Sequence, residues 1–379
     1  MGTRRTVLKL LGGGLVVAAT GVGGFVAANG PSSSARAPWR NAGQYDDPRL
    51  NALSYAILAP NPHNRQPWAV RLEGADGLTV FCDLERRLPA TDPLDRQISL
   101  GFGAFLELLA ISAAQSRFGV EITPFPEGEG APRLDARPIA HVRLVEGGAE
   151  PDPLFLHILN RRTNRETYTG RTIPEEALGR LVEASRVYGV FADATLSAGP
   201  VDQLRDLTWR AHVREMETAL THKESIDLMR IGAGEVSANP DGISLEGPMI
   251  AAGSLMGQIS RKALLDPRSE ASQQGLAMYR ERALSARGFL WLANENQTRT
   301  DQLNAGRAYA RMTLAATALG LAVHPWSQAL QEYSEMADLY EEVHNLIGDG
   351  RTLQMLVRLG YAKGVGSAPR WPLETRLVS

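Results

Sequence analysis

Apolar and polar positions along the chain alternate between helical and extended spacing. Leu50, Leu53 and Ile57 recur at the helical period, and Ala59-Pro60 breaks the run, so a helix is expected over 47–58. Period-two stretches at 69–72 and 78–83, on either side of Gly74-Ala-Asp-Gly77, predict a strand pair. Residues 96–118 carry a strongly apolar helical face that Gly119 should end, and 139–144 alternate as a strand through Val142 and Leu144. The Gly/Pro-rich run 147–153 is the clearest internal boundary. Beyond it the pattern predicts a short helix over 154–160, a helix opened by Pro174, a strand over 191–196 and a polar-faced helix over 204–228. Residues 237–266 mix Gly, Met and Pro with helical pieces, a composition suited to a cover over a site. A buried strand over 288–293, a helix over 300–321 and a last strand over 352–361 complete the pattern.

Two of these helices echo each other. Gly103-Ala-Phe-Leu-Glu-Leu-Leu-Ala and Gly306-Arg-Ala-Tyr-Ala-Arg-Met both open small-residue helices that start and end at glycine. A duplicated α+β unit is one reading; a chance likeness of two alanine-rich helices is the other.

Composition narrows the class. The 379 residues are 44% hydrophobic and 22% charged with a net charge of −2, values of a soluble globular protein with room for one large domain or two modest ones. Basic residues are spread rather than bunched, which gives no footprint for nucleic acid. The single cysteine, Cys82, cannot form an internal disulfide or a CxxC pair, and its apolar setting predicts a buried strand position. Residues 1–37 stand apart: a basic head with Arg4-Arg5, a Gly/Ala/Val/Leu stretch from Leu10 to Ala28, then polar small residues. This is the layout of an export signal, and the arginine pair is similar to a twin-arginine address. The expected location is periplasmic or otherwise exported, with the twin-arginine machinery as a partner. An uncut segment would instead anchor the protein to the membrane. The glycines at 12–14 and 21–24 lack the preceding strand of a dinucleotide fingerprint.

Two stretches could carry chemistry. Ala59-Pro-Asn-Pro-His-Asn-Arg-Gln-Pro-Trp68 is a proline-stiffened loop that offers the amides of Asn64 and Gln66. An amide donates and accepts at once, so it can read a ring edge that mixes carbonyls and nitrogens; a plain stiff turn is the bland alternative. Arg161-Arg162-Thr163-Asn164-Arg165 gathers three guanidinium groups and a hydroxyl, donors whose geometry matches phosphate oxygens. A solvated, salt-bridged run is the alternative there, and Arg370 in Pro369-Arg-Trp-Pro372 carries the same pair of readings. The histidines never fall at HxxxH or HxH spacing, so no metal site is expected, and no GxSxG elbow occurs.

Together these stretches resemble the nitroreductase family of FMN-dependent oxidoreductases. The loop at 59–68 looks like that family's Pro-Ser-x-x-Asn-x-Gln-Pro-Trp segment and 161–168 like its phosphate motif. Residues 303–321, His324-Pro-Trp-Ser-Gln328, 354–361 and 369–374 resemble its central helix, following segment, last strand and tail. The family serine is Asn61 here, followed by Pro62. The resemblance covers about 48–379 and implies an α+β, nitroreductase-like fold with mixed and antiparallel sheets flanked by helices. It also implies the fused branch, in which a first module (38–150) and a second (151–379), with a lid-like insertion near 237–266, form an internal pseudo-dimer. FMN is the implied cofactor, held at its phosphate by Arg161, Arg162, Thr163, Arg165 and Arg370 and at its ring by Asn64 and Gln66, with Ser327 and Gln328 nearby. The implied activity is two-electron hydride transfer through flavin N5, needing no catalytic side chain, between a small-molecule electron donor and acceptor that the residues do not identify. A closed flavin-holding or stress protein with little turnover is the alternative, and a non-flavin periplasmic binding protein a third reading.

Overall fold

The computed structural model describes residues 30–379; the arginine-pair head and apolar stretch of the expected signal lie outside the described residues. Helices α1 (Ala37–Asn41) and α2 (Pro48–Ala56) lead into strands β1 (Trp68–Glu73) and β2 (Gly77–Cys82). Helix α3 (Arg96–Gln115) and strands β3 (Phe118–Pro124) and β4 (Ala140–Glu146) complete the first half. The second half opens with α4 (Glu175–Ser185) and β5 (Phe191–Thr195). A long insertion follows: α5 (Ala198–Glu217), α6 (Ala219–Asp227), β6 (Met229–Ile231), α7 (Gly232–Ala238), β7 (Ile243–Leu245), α8 (Pro248–Leu255), α9 (Arg261–Leu265) and α10 (Glu270–Leu284). Then come β8 (Gly288–Asn294), α11 (Arg299–Ala318), β9 (Ala322–Pro325), α12 (Ala337–Ile347) and β10 (Thr352–Gly360).

The two antiparallel sheets share one strand order, β1-β2-β4-β3 and β5-β8-β10-β9. In each, a 20-residue helix joins the second strand to the third, α3 in the first half and α11 in the second. A short parallel pair, β6-β7, makes the ensemble mixed. The class that the resemblance implies, α+β with mixed and antiparallel sheets flanked by helices, is the class observed.

Helices α3 and α11 pack against each other between the sheets. Leu303, Ala310 and Leu314 of α11 enter the core of the first sheet, and Leu100 of α3 enters that of the second. Helix α3 is long and apolar enough to cross a membrane, but it is a core helix here, with 89% of its most apolar window buried. The tail leaves β10 and returns to the first sheet, where Leu377 bridges Val70 and Leu373 joins the core.

Several boundaries depart from the pattern. The helix expected over 96–118 ends at Gln115, and Arg117 takes the left-handed position (φ 64°) that Gly119 was expected to fill. Gly119 lies inside β3 instead, where a Cβ would stand 2.8 Å from the Gly148 carbonyl oxygen. The helix expected over 204–228 is two helices, because Thr218 is extended (ψ 113°). The short helix at 154–160 is a 3₁₀ run, Pro153–Asn160. The cover expected at 237–266 is the middle of the larger insertion, and α10 had no place in the pattern.

Candidate functional site

The loop after α2 is bent more sharply than its prolines alone require. His63, Asn64 and Gln66 all hold left-handed backbone, with φ of 46°, 52° and 50°. Such positions cost roughly 1–3 kcal/mol each for non-glycine residues and persist only where surroundings over-determine them. The surroundings here are specific. Gln66 N–H donates to Asn61 Oδ1 at 2.8 Å, and the fully buried Gln66 side chain donates from Nε2 to the Pro240 carbonyl (2.8 Å) and accepts from Trp371 N–H (2.9 Å). Asn64 Nδ2 donates to the Pro369 carbonyl (3.0 Å), while its Oδ1 accepts from Arg370 Nη1 (2.6 Å). Both amides expected at a ring edge thus brace the loop against the insertion and the tail.

Arg370 is 2% exposed and donates to the carbonyls of Ile57, Leu58 and Ala59 at 2.9–3.0 Å, capping the C-terminal end of α2. Arg161, 4% exposed, is different: its Nη1 has no hydrogen-bond partner among the described residues. Burial lowers its pKa to about 10, against the pull of Tyr309, with Arg162 adding to the fall. Burial, then Arg161 and Arg162, bring Arg370 down to about 9. Arg162 donates to the Leu159 and Arg161 carbonyls and lies over Trp39, 4.6 Å from the ring centroid; Arg370 lies over the same ring at 5.6 Å. Thr163 is half-buried beside them. Arg165 is exposed, and its charge acts on His63, Tyr309 and His324. The structure therefore unites Arg161, Arg162 and Arg370 into one cationic wall with Asn64 on its edge.

Tyr309 of α11 adds to this wall. It is 4% exposed, its hydroxyl has no partner among the described residues, and burial pushes its pKa up to about 12 against the pull of Arg161 and Arg165. Burial brings His63 down to about 4, helped by Arg165 and Arg65. Ser327 and Gln328 lie farther along, after β9. Ser327 Oγ donates to the Leu356 carbonyl (2.9 Å), whereas the buried Gln328 Oε1 has no partner among the described residues. Gln328 faces Glu215 of the insertion.

The insertion is latched over the loop. Asp241, 4% exposed, accepts from Arg86 Nη1 and Arg230 Nη2 at 2.7 Å each, and Gly242 N–H donates to the Asn64 carbonyl (3.2 Å). A second clasp comes from the N-terminal side. Arg36 pairs with Glu246 at 2.7 Å, Ser32 bonds Glu246 and Ser237, and the Ala35 carbonyl accepts from Arg370 N–H.

Tyr309, His63, Glu215 and Asp241 were not singled out as site residues. Tyr309 carries a faint signal, one helical turn beyond Gly306; Asp241 reads as an ordinary Asn-Pro-Asp-Gly turn, and Glu215 as a solvated helix face.

No protein-family model matches the chain. A Mycobacterium tuberculosis (strain H37Rv) protein named "Putative NAD(P)H nitroreductase Rv3131" is 26% identical over 333 residues, 86% of this chain and 88% of its own. "Uncharacterized protein Rv3127" of the same strain is 35% identical over 121 residues, 30% of this chain and 34% of its own. Among solved structures, the FMN-dependent nitroreductase NfnB of Mycobacterium smegmatis in complex with NADPH is 21% identical, covering 57% of this chain and 92% of that one, with a TM-score of 0.37. A nitroreductase with bound FMN from Bacteroides fragilis is 14% identical, covering 58% and 94%, with a TM-score of 0.35.

Proposed function

We propose that the chain is an exported, FMN-binding oxidoreductase of the nitroreductase type, built as an internal pseudo-dimer of two modules. One observation carries the reading: a buried, unpartnered guanidinium, Arg161, flanked by Arg162 and Arg370. Three neighbouring guanidinium charges repel unless an anion offsets them, and a phosphate ester supplies two negative charges and three acceptor oxygens. The free Tyr309 hydroxyl adds a donor on the same wall, so the residues present fit the phosphate end of FMN. The long relative's name supports the reaction type and an NAD(P)H donor. The shared strand order of the two sheets supports the pseudo-dimer. The arginine pair and apolar run before residue 29 support export or membrane attachment.

Bound FMN supplies two-electron hydride chemistry; the protein supplies binding, orientation and electrostatics. Arg161, Arg162, Thr163 and Arg165 would hold the phosphate. Arg370 adds positive potential while it anchors the tail. Asn64 and Gln66 would keep the strained loop in shape as the wall of the ring site, and Gln328 would offer an amide oxygen unpaired among the described residues. The insertion, latched through Asp241, excludes water. That latch also favours a second reading, a closed flavin-holding protein with little turnover. The test is a visible spectrum of the purified protein before and after NADPH. Yellow protein that bleaches establishes the reductase; yellow that persists establishes the closed form or another donor. Protein that stays colourless after incubation with FMN rejects both.

A further inference from the structure

A line of polar atoms crosses from the insertion to the strained loop. Ser225 Oγ of α6 donates to Glu215 Oε1 of α5 at 3.4 Å and lies 3.1 Å from His63 Nε2. Thr221 Oγ1 donates to the Glu215 carbonyl (2.6 Å), which fixes the bend between α5 and α6 and turns Glu215 and Ser225 to the same side. His63 and Ser225 are 162 residues apart in sequence, so only the seating of the insertion on the loop aligns them. His63 is partly exposed and Glu215 is 6% exposed, so the line runs from the surface inward.

The inner end is not a structural brace. Glu107, another buried carboxylate, is satisfied by Tyr188, Arg307 and Arg311. Among the described residues Glu215 Oε2 has no partner, and neither do Oε1 of Gln328, Oε1 of Gln331 or the Tyr333 hydroxyl, which all lie buried. Natural proteins rarely leave polar atoms buried and unpaired in such numbers without a use. Glu224 and Tyr333 are the titratable groups that face Glu215; Arg165 and Arg65 face His63. Burial, with Glu224, raises the Glu215 carboxyl to about 7 against the opposing influence of the Gln328, Ser225 and Gln331 side chains, so it both holds and releases a proton near neutrality.

Resting on the flavin reading above, we propose that His63, Ser225 and Glu215 form a proton relay into the covered site. His63 takes a proton on Nδ1 and gives its Nε2 proton to Ser225 Oγ, whose own proton moves to Glu215 Oε1. Glu215 releases one proton from Oε2 toward the reacting group. One proton enters and one leaves; both electrons come with the hydride of the donor. The low pKa of His63 keeps the imidazole neutral between transfers.

The full chain loaded with FMN tests this through the reduction potential of the bound flavin measured from pH 5.5 to 8.5. The potential should bend near pH 7 in the wild type, and the bend should vanish in Glu215→Gln. Ser225→Ala should keep the bend and slow flavin reduction by NADPH about a hundredfold at unchanged flavin content. In the apo protein, a carboxylic-acid infrared band that titrates near pH 7 should be absent from Glu215→Gln. Superimposable potential curves for wild type and Glu215→Gln, or an unchanged rate in Ser225→Ala, would overturn the relay alone. A chain that takes up no FMN would overturn the flavin reading and the relay with it.

Discussion

Gly103 and Gly306 stand in a reciprocal relationship across the crossing of α3 and α11. A Cβ on Gly103 would lie 1.9 Å from the Leu303 carbonyl oxygen, and one on Gly306 would lie 2.0 Å from that of Leu100. Each glycine meets the residue three positions before the other, as a two-fold axis between the helices would require. The two helices are thereby held at a distance only glycine permits.

Adding a methyl at either position should therefore be costly. Gly103→Ala and Gly306→Ala should each destabilise by about 3 kcal/mol, since backbone atoms must move apart. Gly179→Ala, in α4 with nothing near its Cβ, should stabilise by about 0.5–1 kcal/mol. Urea unfolding of the three variants measures both signs.

Arg161→Met should separate stability from binding. Removing an unpaired buried guanidinium should stabilise the apo protein by about 1–3 kcal/mol. The same change should weaken FMN at least tenfold, the loss of one charge-assisted bond of about 1.5–3 kcal/mol. Riboflavin, which lacks the phosphate, should bind wild type and variant alike. Titrations with both ligands check this, and an equal loss for both would reject the phosphate assignment.

Asp241 should act as the insertion's latch. Burial pushes its carboxyl up, but Arg230 and Arg86 outweigh this and hold it below the usual range. Its stabilisation is thus complete above about pH 4 and lost only as the pH falls further through the depressed value. Asp241→Asn should cost about 2 kcal/mol and speed hydrogen exchange and proteolysis across 229–245 at pH 7. A chain cut after residue 37 should open the same segment, because Ser32 and Arg36 no longer clasp Glu246.

Glu215 predicts the opposite pH dependence. Its folded pKa of about 7 lies above the ordinary 4.5, so the folded state retains a proton that the unfolded chain has lost. Stability should fall by about 3 kcal/mol as the pH rises from 4.5 to 7 on this account. Glu215→Gln lacks that slope, so the variant should gain on the wild type between pH 5 and 8 in denaturant titrations.

The apolar periodicity of 96–115 and 299–318, the alternation through β1, β2 and β4, the continuous apolar run of β8 and the proline-stiffened loop were legible in the chain itself, because short-range sterics and burial write them as local patterns. The arginine run was legible as a dense charge, and Gly103 and Gly306 as an echo. Weakly patterned elements were not: β3 is half-exposed along most of its length, and α10 is polar on nearly every side. Nor was the direction of any site side chain. Whether Arg370 faces a ligand or caps α2 depends on Asn64, 306 residues away, and whether Glu215 is solvated or buried depends on where α6 and the 3₁₀ turn Gln328–Leu330 come to rest. Hydrogen bonds between residues so distant in sequence leave no period to read. Only the close packing of α3 on α11, and of the insertion on the loop, decides which polar groups are paired and which, like Arg161, are left waiting for a partner.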